Sequence, residues 1–194
     1  MKRPIWMATG LLLLVAGVLL GVRLAREGGS AQLSSGETRV PAAALEETAA
    51  EVGSLGPSAP AVEFATLEGL PASLSDYAGK VVVLNFWGTW CAPCRYEIPE
   101  LVELQRVYGE QGAVVIGVAI DSGEPADIKA FAEEYGVNYP IWVSTMATAV
   151  TEFGAVGYPF TVLVDQEGRI REQYLGPQSF SDLAAKLNAL LAGA

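Results

Sequence analysis

At 194 residues, with 51% hydrophobic and 18% charged side chains, the chain has a globular composition, with room for one ordinary domain and additional segments. Its net charge of -10 argues against nucleic acid as a partner, because phosphate binding needs clustered Lys and Arg. Histidine is absent, which removes the commonest general base and metal ligand, and with them His-dependent hydrolases and imidazole-built copper or zinc sites.

The chain starts with the basic stretch Met1-Lys2-Arg3-Pro4, followed by the charge-free apolar run Ile5 to Val22. That run is at the lower length limit for a membrane-crossing helix, about 18–20 residues. A cleaved signal peptide would have a shorter apolar core and an Ala-x-Ala-like site, whereas Val22-Arg23-Leu24-Ala25-Arg26 follows here. Residues 1–27 are therefore expected to be an N-terminal membrane anchor, with the remainder exported. Residues 28–60, rich in Gly, Ser, Ala, Pro and Glu, read as a flexible linker holding at most a short helix over 42–52.

From Ala61 to the C-terminus, apolar strands alternate with amphipathic helices. Val62 to Leu67 is a short strand, with turns at Glu68-Gly69-Leu70-Pro71 and Gly79-Lys80. Val81 to Phe86 has the pattern of a central strand buried on both faces. A helix should begin near Pro93, where a missing N–H costs nothing, and run to about Glu110 with a kink at Pro99.

Ala113 to Ile120 is a second buried strand. Pro125 to Tyr135 is a helix closed by Gly136, Tyr139 to Val143 a strand, and Ala147 to Phe153 a helix closed by Gly154. Thr161 to Asp165 and Ile170 to Tyr174 form a hairpin through Gln166-Glu167-Gly168. Phe180 to Leu191 is a terminal helix with Leu183, Leu187 and Leu190 on one face. The predicted fold is α/β, a mixed sheet flanked by helices. Phe86, Phe131, Phe153 and Leu163 are assigned to the core, and Glu133-Glu134 to a solvated helix face.

The two cysteines stand together in Trp90-Cys91-Ala92-Pro93-Cys94, where the buried strand gives way to the helix. There Cys91 would precede the first helical turn, whose unpaired N–H groups and positive dipole end stabilise a thiolate, and Cys94 would be its shielded resolving partner. A purely stabilising disulfide is the bland alternative, but closing so short a loop gains only about 2 kcal/mol. Zinc would need further Cys or His ligands, which the chain lacks. No metal and no cofactor are expected.

The segment Val83-Leu84-Asn85-Phe86-Trp87-Gly88-Thr89-Trp90-Cys91-Ala92-Pro93-Cys94-Arg95-Tyr96-Glu97-Ile98-Pro99 resembles the active-site segment of membrane-anchored thioredoxins of the TlpA/ResA/CcmG type. The resemblance covers Ala61 to the C-terminus and implies a thioredoxin-like fold with an N-terminal strand extension. Residues 121–139 fall where the family inserts an extra helix and strand.

The resemblance also implies site residues. Gly157-Tyr158-Pro159 is similar to the family's cis-proline loop, so Trp90, Pro93, Tyr158 and Pro159 are expected to contact substrate beside Cys91 and Cys94. Phe160 is a departure, standing between Pro159 and Thr161 where relatives carry Thr directly after the proline. Glu97 matches a glutamate that would tune the thiols or relay protons; a solvated helix residue is the alternative. Asn85 occupies the position of thioredoxin's buried Asp, which leaves Glu97 as the nearest ionisable neighbour. Trp87 either packs or contacts the site.

The function implied is that of a thiol:disulfide oxidoreductase on the outer face of a bacterial cytoplasmic membrane. It would reduce disulfides in exported proteins such as apocytochrome c and draw electrons from a membrane thiol transporter. The rival readings are a non-catalytic redox-fold assembly chaperone and a thiol peroxidase of the peroxiredoxin type.

Overall fold

The computed structural model describes residues 56–193. The expected anchor, most of the expected linker and the short helix over 42–52 lie outside them. Among the described residues no helix is long and apolar enough to cross a membrane.

The described elements follow in chain order as β1 (Phe64–Thr66), β2 (Pro71–Ala72), β3 (Val81–Trp87), α1 (Ala92–Tyr108), β4 (Ala113–Ile120), α2 (Pro125–Glu134), β5 (Ile141–Ser144), α3 (Met146–Phe153), β6 (Phe160–Val164), β7 (Ile170–Leu175) and α4 (Phe180–Leu191). The strands form one mixed sheet in the order β2-β1-β5-β4-β3-β6-β7. Strands β3, β4 and β5 run parallel, while β6 and β7 on one side and β1 and β2 on the other are antiparallel additions.

Every residue of β3 and β4 is buried, as expected for continuous apolar runs at the centre of a sheet covered on both faces. Alternation sends Val82, Leu84 and Phe86 of β3 into one core, with Trp142 and Phe153. Val81 and Val83 point into the other, against Leu101 and Leu104 of α1 and Leu183 and Leu187 of α4. The site lies where β3 ends and α1 begins.

Several boundaries differ from expectation for identifiable reasons. Strand β5 starts at Ile141 rather than Tyr139 because Pro140 has no N–H to give the ladder; its carbonyl instead accepts the Gly117 N–H at 3.0 Å. Helix α1 stops at Tyr108, and a tighter turn over Gly109–Gln111 carries the chain to Gly112, whose φ of 96° favours glycine. The two-residue strand β2 was not anticipated. Phe131 is only half-buried, stacking on Trp87 and Tyr135 rather than entering a sealed core.

Residues 57–59, at the end of the expected linker, pair with the β6–β7 hairpin: Ala59 N–H donates to Gly168 O and Ile170 N–H to Pro57 O, both at 2.8 Å.

Candidate active site

Cys91 is the N-cap of α1, with extended backbone (φ -88°, ψ 100°), and its Sγ accepts the Cys94 N–H at 3.3 Å. The first turn of α1 contains no acidic residue, so nothing there offsets the positive end of the helix. Cys91 and Cys94 are joined in a disulfide with Cα atoms 5.4 Å apart. Both are covered in this oxidised form, Cys91 the more exposed at 4% against 1%. They pack with Trp87, Ala119 and Ile128, and the half-buried Tyr158 closes over the same cluster.

Around the pair stands a partly exposed rim. Trp90 is 49% exposed, packs edge-on against Tyr158 with ring centroids 5.7 Å apart, and donates its indole N–H to Ile120 O at 3.2 Å. Gly88 makes this possible: a Cβ there would stand 2.5 Å from the Trp90 ring. Pro93 is exposed on the first turn of α1, and Pro159 is buried behind Tyr158. The Tyr158–Pro159 peptide is cis, as expected. Thus Trp90, Pro93 and Tyr158 border the cysteines, and the buried Pro159 follows Tyr158 in the chain.

Beneath the cysteines lies a buried polar cluster that changes the reading of Glu97. Cys94 and Glu97 are one turn apart, so both point into the protein from the same face of α1. Glu97 is 1% exposed, which rules out the solvated alternative. Its Oε2 accepts from Asn85 Nδ2 at 2.8 Å, and its Oε1 accepts from the Gln178 backbone N–H at 2.9 Å and the Thr161 hydroxyl at 3.4 Å. Asn85 Nδ2 also donates to Thr161 Oγ1 at 2.9 Å. Burial pushes the Glu97 carboxyl up to about 7, against the downward pull of Gln178, Asn85 and Thr161. A group titrating there can hold or release a proton at physiological pH.

Four supporting residues were given no role from sequence, although Arg95 and Thr161 lie in segments that resemble the family. Thr161 and Gln178 reach Glu97 from 64 and 81 residues away. Ser122 takes the Thr89 N–H on its Oγ and receives the Thr89 hydroxyl on its carbonyl, both at 3.2 Å, fixing the loop before Cys91. Arg95 donates to Thr89 O at 3.0 Å and lies over the Phe131 ring at 5.8 Å. Trp87 is buried and stacked on Phe131 while packing against both cysteines, so it serves packing and site alike.

Comparison with known proteins agrees with this geometry. Residues 55–173 match the AhpC/TSA family. The chain is 36% identical over 146 residues to the thiol-disulfide oxidoreductase ResA of Geobacillus thermodenitrificans, covering 75% of this chain and 81% of that protein. It is 36% identical over 135 residues to the thioredoxin-like protein YneN of Bacillus subtilis, covering 69% and 78%. Among solved structures, a thiol:disulfide interchange protein of the thioredoxin family from Chlorobium tepidum superposes with a TM-score of 0.61 at 28% identity, over 70% of this chain and 97% of that one. With a cysteine pair at a helix N-terminus, a cis-proline loop against it and a buried carboxyl below, the chain belongs to the AhpC/TSA family, as a thioredoxin-like thiol:disulfide oxidoreductase of the TlpA/ResA/CcmG type.

Proposed function

We propose that the protein is a membrane-tethered, extracytoplasmic reductase of disulfides in exported proteins, with Cys91 as nucleophile and Cys94 as resolving thiol. The observation that carries the exchange chemistry is the buried Glu97 one turn beyond Cys94, its carboxyl raised by burial to about 7. In the reduced enzyme, the Cys91 thiolate attacks one sulfur of the substrate disulfide and forms a mixed disulfide, and the displaced substrate thiolate leaves. Cys94 then gives its proton to ionised Glu97 and attacks Cys91 Sγ. The second substrate thiolate departs, the substrate has gained two electrons, and the Cys91–Cys94 disulfide results.

Restoring the dithiol needs an external dithiol donor, for which a membrane thiol-electron transporter is the natural class. The basic start and the apolar run Ile5 to Val22 support the tether. An extracytoplasmic site supports reduction of proteins that would otherwise keep their disulfides, apocytochrome c among them. Trp90, Pro93 and Tyr158 form the surface on which an extended substrate segment lies, and the cis bond to the buried Pro159 orients the Tyr158 backbone there. A Cys94→Ser variant tests the scheme in the native membrane. It should accumulate mixed disulfides through Cys91 that dithiothreitol releases, and failure to trap any would point to a non-catalytic binder.

A further inference from the structure

Two buried polar atoms take no part in the scheme above. The Trp87 indole N–H and the Tyr139 hydroxyl are both shielded from solvent, and neither has a hydrogen-bond partner among the described residues. Such groups in protein interiors are as a rule satisfied by a buried water.

The two meet over one glycine of the sheet. Gly117 of β4 lies beside Asn85 of β3 in the parallel register. A Cβ on Gly117 would stand 2.7 Å from Trp87 Nε1 and 3.0 Å from Tyr139 Cε2, so the missing side chain is what admits both rings. Asn85, on the neighbouring strand, holds Glu97. Tyr139 packs in the core with Leu101, one turn beyond Glu97 on α1, and the adjacent Asn138 donates to Val102 O of that helix at 3.1 Å. Burial first, and then the charge of Glu97, hold the Tyr139 hydroxyl well above its ordinary value.

We propose that the Trp87 N–H and the Tyr139 O–H, brought together over Gly117, hold a buried water that hydrogen-bonds the Glu97 carboxyl, making Tyr139 a positioning residue for the site's proton acceptor. Both groups donate to the water oxygen, which leaves its two hydrogens free to donate onward. Facing Glu97 from the surrounding elements are Asn85 on β3, Thr161 on β6, the Gln178 N–H before α4, Cys94 on α1 itself, and Tyr139 ahead of β5. A donor added to this set stabilises the ionised carboxyl, so its loss should make Glu97 hold its proton more tightly. The inference rests on Glu97 acting as the proton acceptor of the proposed exchange.

The test uses the full-length chain labelled with 15N and 13C. The wild type should give a nuclear Overhauser cross-peak between water and the Trp87 indole proton. Tyr139→Phe should lose that cross-peak and raise the Glu97 carboxyl midpoint by about half a pH unit, about threefold in proton affinity, with the pH profile of thiol exchange moving by the same amount. Gly117→Ala, whose Cβ would displace both rings, should act in the same direction. A wild type without the cross-peak, or variants in which the Glu97 midpoint stays put, would overturn the inference. A Glu97→Gln enzyme that keeps the wild-type pH profile would sink the role of Glu97 instead, and the cross-peak would still report on the water.

Discussion

Glu97 is the residue on which most of the chemistry turns, and its environment makes a thermodynamic claim as well as a kinetic one. Its carboxyl has an ordinary value of 4.5 and is raised to about 7 in the fold. The folded state therefore binds the proton more tightly than the unfolded chain, so the stability present below pH 4.5 is lost as pH rises through about 7. The loss is about 3 kcal/mol by linkage. Denaturant titrations of wild type and Glu97→Gln should diverge across that window, with the wild type losing roughly this amount relative to the variant; parallel curves would mean that Glu97 is not held in a raised state. Part of this arrangement was legible in the sequence. Asn85 and Glu97 lie in the motif segment, and the amide in place of thioredoxin's acid singles out the glutamate. Thr161 and Gln178 carried no local signal because they are brought in by β6 and by the turn before α4, and hydroxyl and backbone donors that far along the chain have no periodicity to betray them.

At the scale of elements, α1 joins chemistry to core. Its N-terminus presents the cysteines, its second turn carries Glu97, and Ile98, Leu101 and Leu104 anchor it with almost no exposure. Leu101→Ala should cost about 2–5 kcal/mol in chemical denaturation, because truncation leaves a cavity between α1 and the sheet. Loss below about 1 kcal/mol would mean that the helix is not held by this contact. Strands β3 and β4 and helix α4 were read from sequence almost to the residue, since long apolar runs and a leucine stripe at helical spacing admit one interpretation. The misses fell where a single residue or pairing overrode the pattern. Pro140 delayed β5, and Pro71–Ala72 forms a strand only because it pairs back on Phe64–Ala65.

The whole molecule sets the cysteines beyond the carboxyl end of β3, with the cis-proline loop entering the antiparallel strand β6 beside it. That juxtaposition spans almost 70 residues between Cys91 and Pro159, and sequence reached it only through likeness to relatives, because strand order across a sheet leaves no mark in periodicity. The fold supports exchange in either direction, so the potential of the dithiol against its partners decides whether the protein reduces or oxidises. The reductase account is tested most directly by equilibrating Cys91–Cys94 with glutathione or dithiothreitol buffers and measuring its reduction potential. It predicts a value near about -270 mV, in the range of reducing thioredoxins, and a value near about -120 mV, typical of a strong oxidant, would contradict it.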